Sequence, residues 1–450
     1  MTCTASLRCA VLIAAGLSLP LASRAQAPAP YPVGRELSTF EAPASAGASL
    51  PDVPPEPTGV LRLEQALAAA LLRNPELAAD AYEVRAREAA LLQAGAFPNP
   101  TLSLEVEDFA GSGPFSGVES AQTTLLLGQL IELGGKRAAR VDLAAADRDL
   151  AAWDHEVRRI DVLVRTADEF VDLLAAQERL RLADEALELA RSMQRAASLR
   201  LRAGIGSPAE GIRAEVQVDV ASVDREHTEH ELATARQALA AMWSGEEPHF
   251  ERAAGDLEQL PIAPSAEEVA QLLEASPSVA RWRTQLARRD ALRARATSDR
   301  IPDVTLIAGP RRLSGPDDTA LVVGVAIPLP LWNRSRGAIA EAEHRVAKTV
   351  AEARASRVRA VMDLAEARIG LQASTEEAHL LRTRVLPGSE RAVEALRRGY
   401  EQGRFAQVEV LDAERARLGA REQYLGALVE AHHNAQQIER LTGVPLEVRP

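Results

Sequence analysis

Thr101-Leu102-Ser103-Leu104-Glu105-Val106-Glu107 alternates strictly between apolar and polar residues. Side chains two apart on a strand share a face, so Leu102, Leu104 and Val106 line one side and Thr101, Ser103, Glu105 and Glu107 the other. The surrounding chain has a different period. From Lys136 to about Arg202 there is neither proline nor glycine. A helix over that stretch reaches about 100 Å at ~1.5 Å per residue. A short amphipathic strand beside a helix of that length is not the pattern of an ordinary globular domain.

Working outward, a Gly/Ser/Pro-rich loop from Asp108 to Ser120 leads to a second expected strand, Gln122 to Leu133, ended by Gly134-Gly135. Before Thr101, helical spacing of Leu63, Leu67, Ala70, Leu71 and Leu77 runs from Leu61 to about Ala96. It restarts at Asn74-Pro75, with Asn74 as N-cap and proline at the first helical position. After Arg202, Gly204, Gly206 and Pro208 turn the chain into a shorter helix that stops near Ser244-Gly245.

The same layout then recurs. Asn74-Pro75-Glu76-Leu77 returns as Ser276-Pro277-Ser278-Val279, and Pro98-Asn99-Pro100-Thr101-Leu102 as Pro302-Asp303-Val304-Thr305-Leu306. Gly204, Ile212, Ala214 and Glu215 return at one offset as Gly403, Leu411, Ala413 and Glu414. The period is too long for a solenoid, so the chain holds two copies of one large unit. In the second copy the spacing predicts a helix from Ser265 to about Arg300 and strands near 303–308 and 319–329 joined by a 310–318 loop. A long helix from about Ser335 to Tyr400, interrupted by Pro387-Gly388, and a last helix from about Val408 to Leu441 complete it. In the later strand Leu321, Val323, Val325, Ile327 and Leu329 form one bulky face opposite Ala320, Gly324 and Ala326. A lipid-facing outside explains that asymmetry; a buried strand in a soluble sheet is the alternative. The expected domains are 1–27, 28–60, a first repeat 61–245, a linker 246–264 and a second repeat 265–446.

Residues 1–27 have the form of a secretory signal: Arg8, an apolar core from Ala10 to Leu19, and Ala25-Gln26-Ala27 for cleavage. Cys3 and Cys9, the only cysteines, fall inside it, which leaves the mature chain without a disulfide or thiol chemistry. The Pro-rich stretch from Pro28 to Gly59 is expected to be an extended, weakly ordered arm. A net charge of −12 without a basic face argues against nucleic acid. No later stretch is apolar enough for a spanning helix, so any crossing must use strands. Four strands cannot close a barrel, and open edges are not tolerated in lipid. Several chains must therefore share one barrel: two would supply eight strands, three twelve and a lumen.

Other patterns point to bland roles. His227 and His230, at i and i+3 near Glu226 and Glu231, read as a solvated face rather than a metal site. His432 and His433 read as surface, and Glu341 with His344 as an ordinary helix pair. Gly134-Gly135-Lys136 lacks the glycine and hydroxyl residue of a phosphate loop. Lys136, Arg137 and Arg140 are candidates for contact with lipid head groups. No catalytic constellation and no cofactor or metal set is evident.

Several segments, in order, resemble one family. They are Asn74-Pro75-Glu76-Leu77, Pro98-Asn99-Pro100-Thr101-Leu102, Glu132-Leu133-Gly134-Gly135-Lys136-Arg137 and Ile327-Pro328-Leu329-Pro330-Leu331-Trp332-Asn333-Arg334. Tyr400-Glu401-Gln402-Gly403 and Val408-Glu409-Val410-Leu411-Asp412-Ala413 complete the set. From about Leu61 to Leu446 the chain resembles the TolC-like outer-membrane efflux proteins, in particular the CzcC-type branch serving heavy-metal pumps of the RND class. The resemblance implies a mainly α fold with a small β part and an internal duplication. Long antiparallel helical hairpins would form an α-barrel, and four strands per chain would enter a trimeric 12-stranded barrel in outer-membrane lipid. It implies a passive, non-enzymatic homotrimer working with a periplasmic adaptor (membrane fusion protein) and an inner-membrane pump. The adaptor would grip the helical tips, here Gly204, Pro208, Gly403 and Phe405. Acidic residues that narrow the inner end fall on Glu409 and Asp412, on one helix face. The first copy has Glu210 and Arg213 at those positions. Drug efflux or type I secretion through the same duct, and a pore-free periplasmic coiled-coil scaffold, are the competing readings.

Overall fold

The computed structural model describes residues 31–44, 55–315 and 317–447; the signal-like segment lies outside them. A short strand β1 (Gly59–Leu61) leads into α1 (Leu63–Arg73) and α2 (Pro75–Ala94). Asn74 separates the helices as the sequence predicts. Its side chain accepts from the backbone N–H groups of Glu76 (3.0 Å) and Leu77 (3.1 Å) and donates to the Met242 carbonyl (2.9 Å). Strands β2 (Thr101–Glu107) and β3 (Gln122–Ile131) follow, then the 67-residue α3 (Lys136–Arg202) and α4 (Pro208–Ala241). The second half repeats the order after a strand β4 (Phe250–Ala253): α5 (Ala266–Ala275), α6 (Pro277–Ser298), β5 (Val304–Leu313), β6 (Asp318–Ala326), α7 (Arg336–Leu380), α8 (Leu386–Glu401) and α9 (Gln407–Thr442).

The four long strands form one antiparallel sheet in the order β2-β3-β5-β6. Strand β5 runs past the expected end at 308 through Gly309-Pro310, so the sequence-based 310–318 loop is too long; β6 stops at Ala326 rather than 329. Pro310 supplies no N–H to the ladder, and the β3–β5 pairing skips Leu125 and Leu126 there while both flanks keep register. Only glycine fits beside it, because a Cβ on Gly309 would run into the Leu125 carbonyl.

Three further expectations change. The linker is not featureless: β4 pairs in parallel with β1. Leu61, Phe170, Leu173, Leu239, Trp243 and Phe250 pack around that pair as the core of the first repeat. The second repeat has its counterpart in Leu273, Leu364, Leu371, Ala431 and Ile438. Pro387 does not interrupt the long helix. It cannot donate to the carbonyl four residues back, and the helix absorbs the mismatch as a π turn over Leu381–Val385.

The described part of the Pro-rich arm is docked rather than loose. Arg159, buried and paired with Glu156 at 2.7 Å, donates to the carbonyls of Val33 (2.8 Å) and Tyr31 (3.2 Å); Glu156 accepts from the Tyr31 N–H (2.8 Å). The Val33 N–H reaches the Gly443 carbonyl (3.1 Å) and the Phe40 N–H the Leu71 carbonyl (3.0 Å). Val33 buries with Leu71, Leu77 and Leu163. A polar, extended composition did not reveal this, because the receptor is a charge pair on α3.

Candidate functional site

Two regions bear on function: the sheet and the opposite tips of the long helices. On the sheet, register places Leu102 opposite Leu127, Leu104 opposite Leu125 and Leu306 opposite Val325. These side chains, with Leu321 (76% exposed) and Val323, form a continuous apolar face open to the surroundings. A contiguous patch of this kind belongs against lipid or protein, not water. The other face is polar where Glu105, Thr124, Arg311 and Ala320 make one rung. Arg311 donates to the Thr124 hydroxyl at 2.9 Å and lies 3.6 Å from Glu107. Apolar outside and polar inside is the division of a membrane barrel wall. Among the described residues β2 and β6 each pair with a single neighbour.

At the sheet's helical end, the three basic residues considered for head-group contact each have a partner within the chain. Lys136 pairs with Asp303 (2.8 Å), and Arg140 with Glu132 and the carbonyls of Ala94 and Ala96. Arg137 stacks 3.9 Å over the Phe97 ring and donates to the Gly95 carbonyl. Arg137 and Arg140 tie the start of α3 to the end of α2, and Lys136 ties it to the start of β5.

The tips are two versions of one turn. Gly204 and Gly403 both adopt left-handed φ, +73° and +72°, closing α3 and α8 as helix-terminating glycines do. Behind them, the Ile205 N–H bonds the Arg200 carbonyl (3.1 Å), and the Arg404 N–H bonds the Gly399 carbonyl (2.8 Å). Pro208 occupies the first turn of α4 behind the N-cap Ser207. Phe405, though 42% exposed, lies against Gly399, where any Cβ would strike its ring.

The structure gives the two sequence-selected acids unequal surroundings. Glu409 reaches back to accept the Ala406 N–H at 2.7 Å, capping α9 where Ala406 offers no side-chain acceptor. Asp412 is exposed and 3.7 Å from Arg415, whose guanidinium also donates to Gln217 on α4. Glu414, marked in the sequence only as a repeat position, is 3% exposed and pairs with Arg397 and Arg417, both at 2.9 Å. The hairpins meet again where Arg200 approaches the Tyr400 ring at 5.2 Å. Tyr400 and Arg415 thus join the two copies. Tyr400 was visible in the sequence as the first residue of its motif, and Arg415 only by its place near Asp412.

Of the histidines, His227 pairs with Glu231 (3.2 Å), and Glu341 pairs with Arg345 rather than His344. His432 is not surface: its Nε2 lies 3.0 Å from the Leu257 carbonyl, and burial lowers its pKa. His433 lies 3.3 Å from Asp172, and that contact raises its pKa. Among the described residues, no group of three or more His, Cys, Asp or Glu side chains is placed to hold a metal ion.

The model of the outer membrane efflux protein family matches residues 66–245 and 269–444. The chain belongs to this outer membrane efflux protein family. Its two matched segments fall on the two copies described above. The cobalt-zinc-cadmium resistance protein CzcC of Cupriavidus metallidurans is 36% identical over 394 residues, covering 88% of this chain and 93% of that relative. The nickel and cobalt resistance protein CnrC of the same organism is 31% identical, over 68% of this chain and 71% of its own. Among solved structures, the outer-membrane channel OprN superposes with a TM-score of 0.74 at 20% identity, covering 90% of this chain and 98% of that one. The fold is therefore that of the TolC-like channels, and the efflux protein resides in the outer membrane.

Proposed function

We propose that three copies form a passive exit duct for heavy-metal cations, fed by a periplasmic adaptor and an inner-membrane RND pump. One observation carries the reading: a four-stranded sheet with an apolar outer face and, among the described residues, two open edges, continuous with a helix about 100 Å long. Edge pairing between copies satisfies the open strands, and twelve strands leave a lumen. A pore-free coiled-coil scaffold has no use for such a sheet. The metals named in the two resistance relatives support metal cations over drugs or secreted proteins.

At the inner end, Asp412 and the outward carboxylate edge of Glu409 contribute to a threefold acidic constriction that favours cations. Gly204 and Gly403 shape the tips, and Pro208 and Phe405 lie on the surface offered to the adaptor. Purified protein in planar bilayers tests both levels. A heat-labile trimer with ohmic conductance is expected. Glu409→Gln with Asp412→Asn is expected to lower the cation-to-anion permeability ratio about twofold or more. Unchanged selectivity in an intact trimer removes the ring assignment; an electrically silent, water-soluble rod removes the duct.

A further inference from the structure

Antiparallel pairing puts the start of β2, the end of β3, the start of β5 and the end of β6 at one rim, the rim that meets the helices. The segment leaving β6 there has no assigned role. Ile327, Leu329, Leu331 and Trp332 are all exposed, Trp332 at 93%. Trp332 lies six residues beyond the end of β6, the strand that exposes Leu321, Val323 and Val325. The protein's other tryptophans differ: Trp153 and Trp243 are buried and Trp282 is half-buried.

The backbone suits a position between water and hydrocarbon. Pro328 and Pro330 have no N–H to leave unpaired, and the Leu331 and Ser335 N–H groups are satisfied locally by the Leu329 carbonyl (2.9 Å) and Asn333 Oδ1 (3.1 Å). Arg334 and Arg336 follow, both exposed, and neither forms an ion pair among the described residues. Tryptophan with an apolar body and a polar N–H partitions to the head-group level, and arginine beside it meets lipid phosphate.

We propose that Ile327–Arg336 is a membrane-interface anchor. Leu329, Leu331 and Trp332 enter the head-group zone of the periplasm-facing leaflet, and Arg334 and Arg336 hold its phosphates. The anchor fixes the depth of the sheet and the point where strand becomes tube. It rests on the reading of the sheet as a spanning barrel wall, and it places the head-group contact on different basic residues from those at the start of α3.

The test attaches an environment-sensitive fluorophore to Trp332→Cys in the full-length protein reconstituted in bilayers carrying nitroxide lipids. Val323→Cys reports the mid-sheet lipid face, Glu343→Cys reports water, and the unsubstituted protein sets the background. Expected is strong quenching at position 332 by head-group nitroxides and weak quenching by chain-end nitroxides, with the order reversed at 323. Arg334→Gln with Arg336→Gln is expected to reduce the effect of anionic phosphatidylglycerol on quenching at 332 roughly twofold. Quenching at 323 but none at 332 overturns the anchor and spares the barrel, whether 332 emits as in water or, blue-shifted, as in a protein contact. No lipid quenching at either position overturns both. An unchanged response in the double arginine variant overturns the phosphate contacts.

Discussion

The two helical turns at the tips of the long helices close alike and are filled in opposite ways. In the first, Gly206 presses on the backbone of Arg200, with its N–H on the Arg200 carbonyl at 3.0 Å. In the second, 199 residues later by the matched glycines, the large and small partners are exchanged: Phe405 covers Gly399. Capping is exchanged too. Ser207 accepts the Ala209 N–H at 3.2 Å in the first turn, while Glu409 caps the second in place of Ala406. Duplication preserved the shape of the turn and let the residues that fill it and charge it drift. The difference shows that a turn's outline is set by a few contacts whose two sides can trade sizes, leaving the surface free to diverge.

The divergence continues at the far ends of the two hairpins. Ala240 is fully buried in the first repeat's core. Glu439, at its matched place, is held by the Leu446 N–H at 2.7 Å, and burial pushes its carboxyl up to about 7. Its ordinary value is 4.5, so between about pH 4.5 and 7 the unfolded chain ionises while the folded one keeps the proton. Stability falls as pH rises through that window and levels off above it. Glu439→Gln is expected to stabilise the protein by about 2–3 kcal/mol at pH 8 and by little at pH 4. Thermal unfolding at both pH values measures this, and an equal gain at each contradicts the assignment.

Gly399→Leu is expected next, at a cost of about 2 kcal/mol and with faster proteolysis near residue 403. Adding Phe405→Gly is expected to recover most of the loss, since it copies the small residue of the first turn. A double variant no better than the single one breaks the exchanged-size account. Ala406→Ser supplies the cap the second turn lacks. It is expected to stabilise α9 by about 0.5–1 kcal/mol and to free the Glu409 carboxylate, read as slower hydrogen exchange at the start of that helix. The smallest expected effect is on selectivity. Arg213→Asp gives the first copy the charge of the second and should raise the cation-to-anion permeability ratio by less than twofold, measured as a reversal potential.

The fold was legible where period alone decides structure. Strict alternation from Thr101 to Glu107, the uninterrupted run from Lys136 to Arg202, and the Asn74-Pro75 and Gly204 boundaries all reappear as elements. What escaped depends on contacts between distant residues. Gly309-Pro310 signals a loop locally, yet the skipped rung on β3 keeps it in the sheet. The Pro-rich arm is ordered by Arg159, more than a hundred residues away in sequence. Motif position pointed to Glu409, but only geometry shows its carboxylate closing its own helix, and Glu414 became visible as a structural acid only once Arg397 and Arg417 surrounded it.

The docked arm bears on how the molecule is made. Val33 is secured by a carbonyl at Gly443 and by the Arg159 guanidinium on α3, so the first described segment finds its seat only after the last helix has arrived. Contacts of such sequence separation form late and slowly. The two halves of this polypeptide can therefore be sutured only once nearly all of it is free to fold.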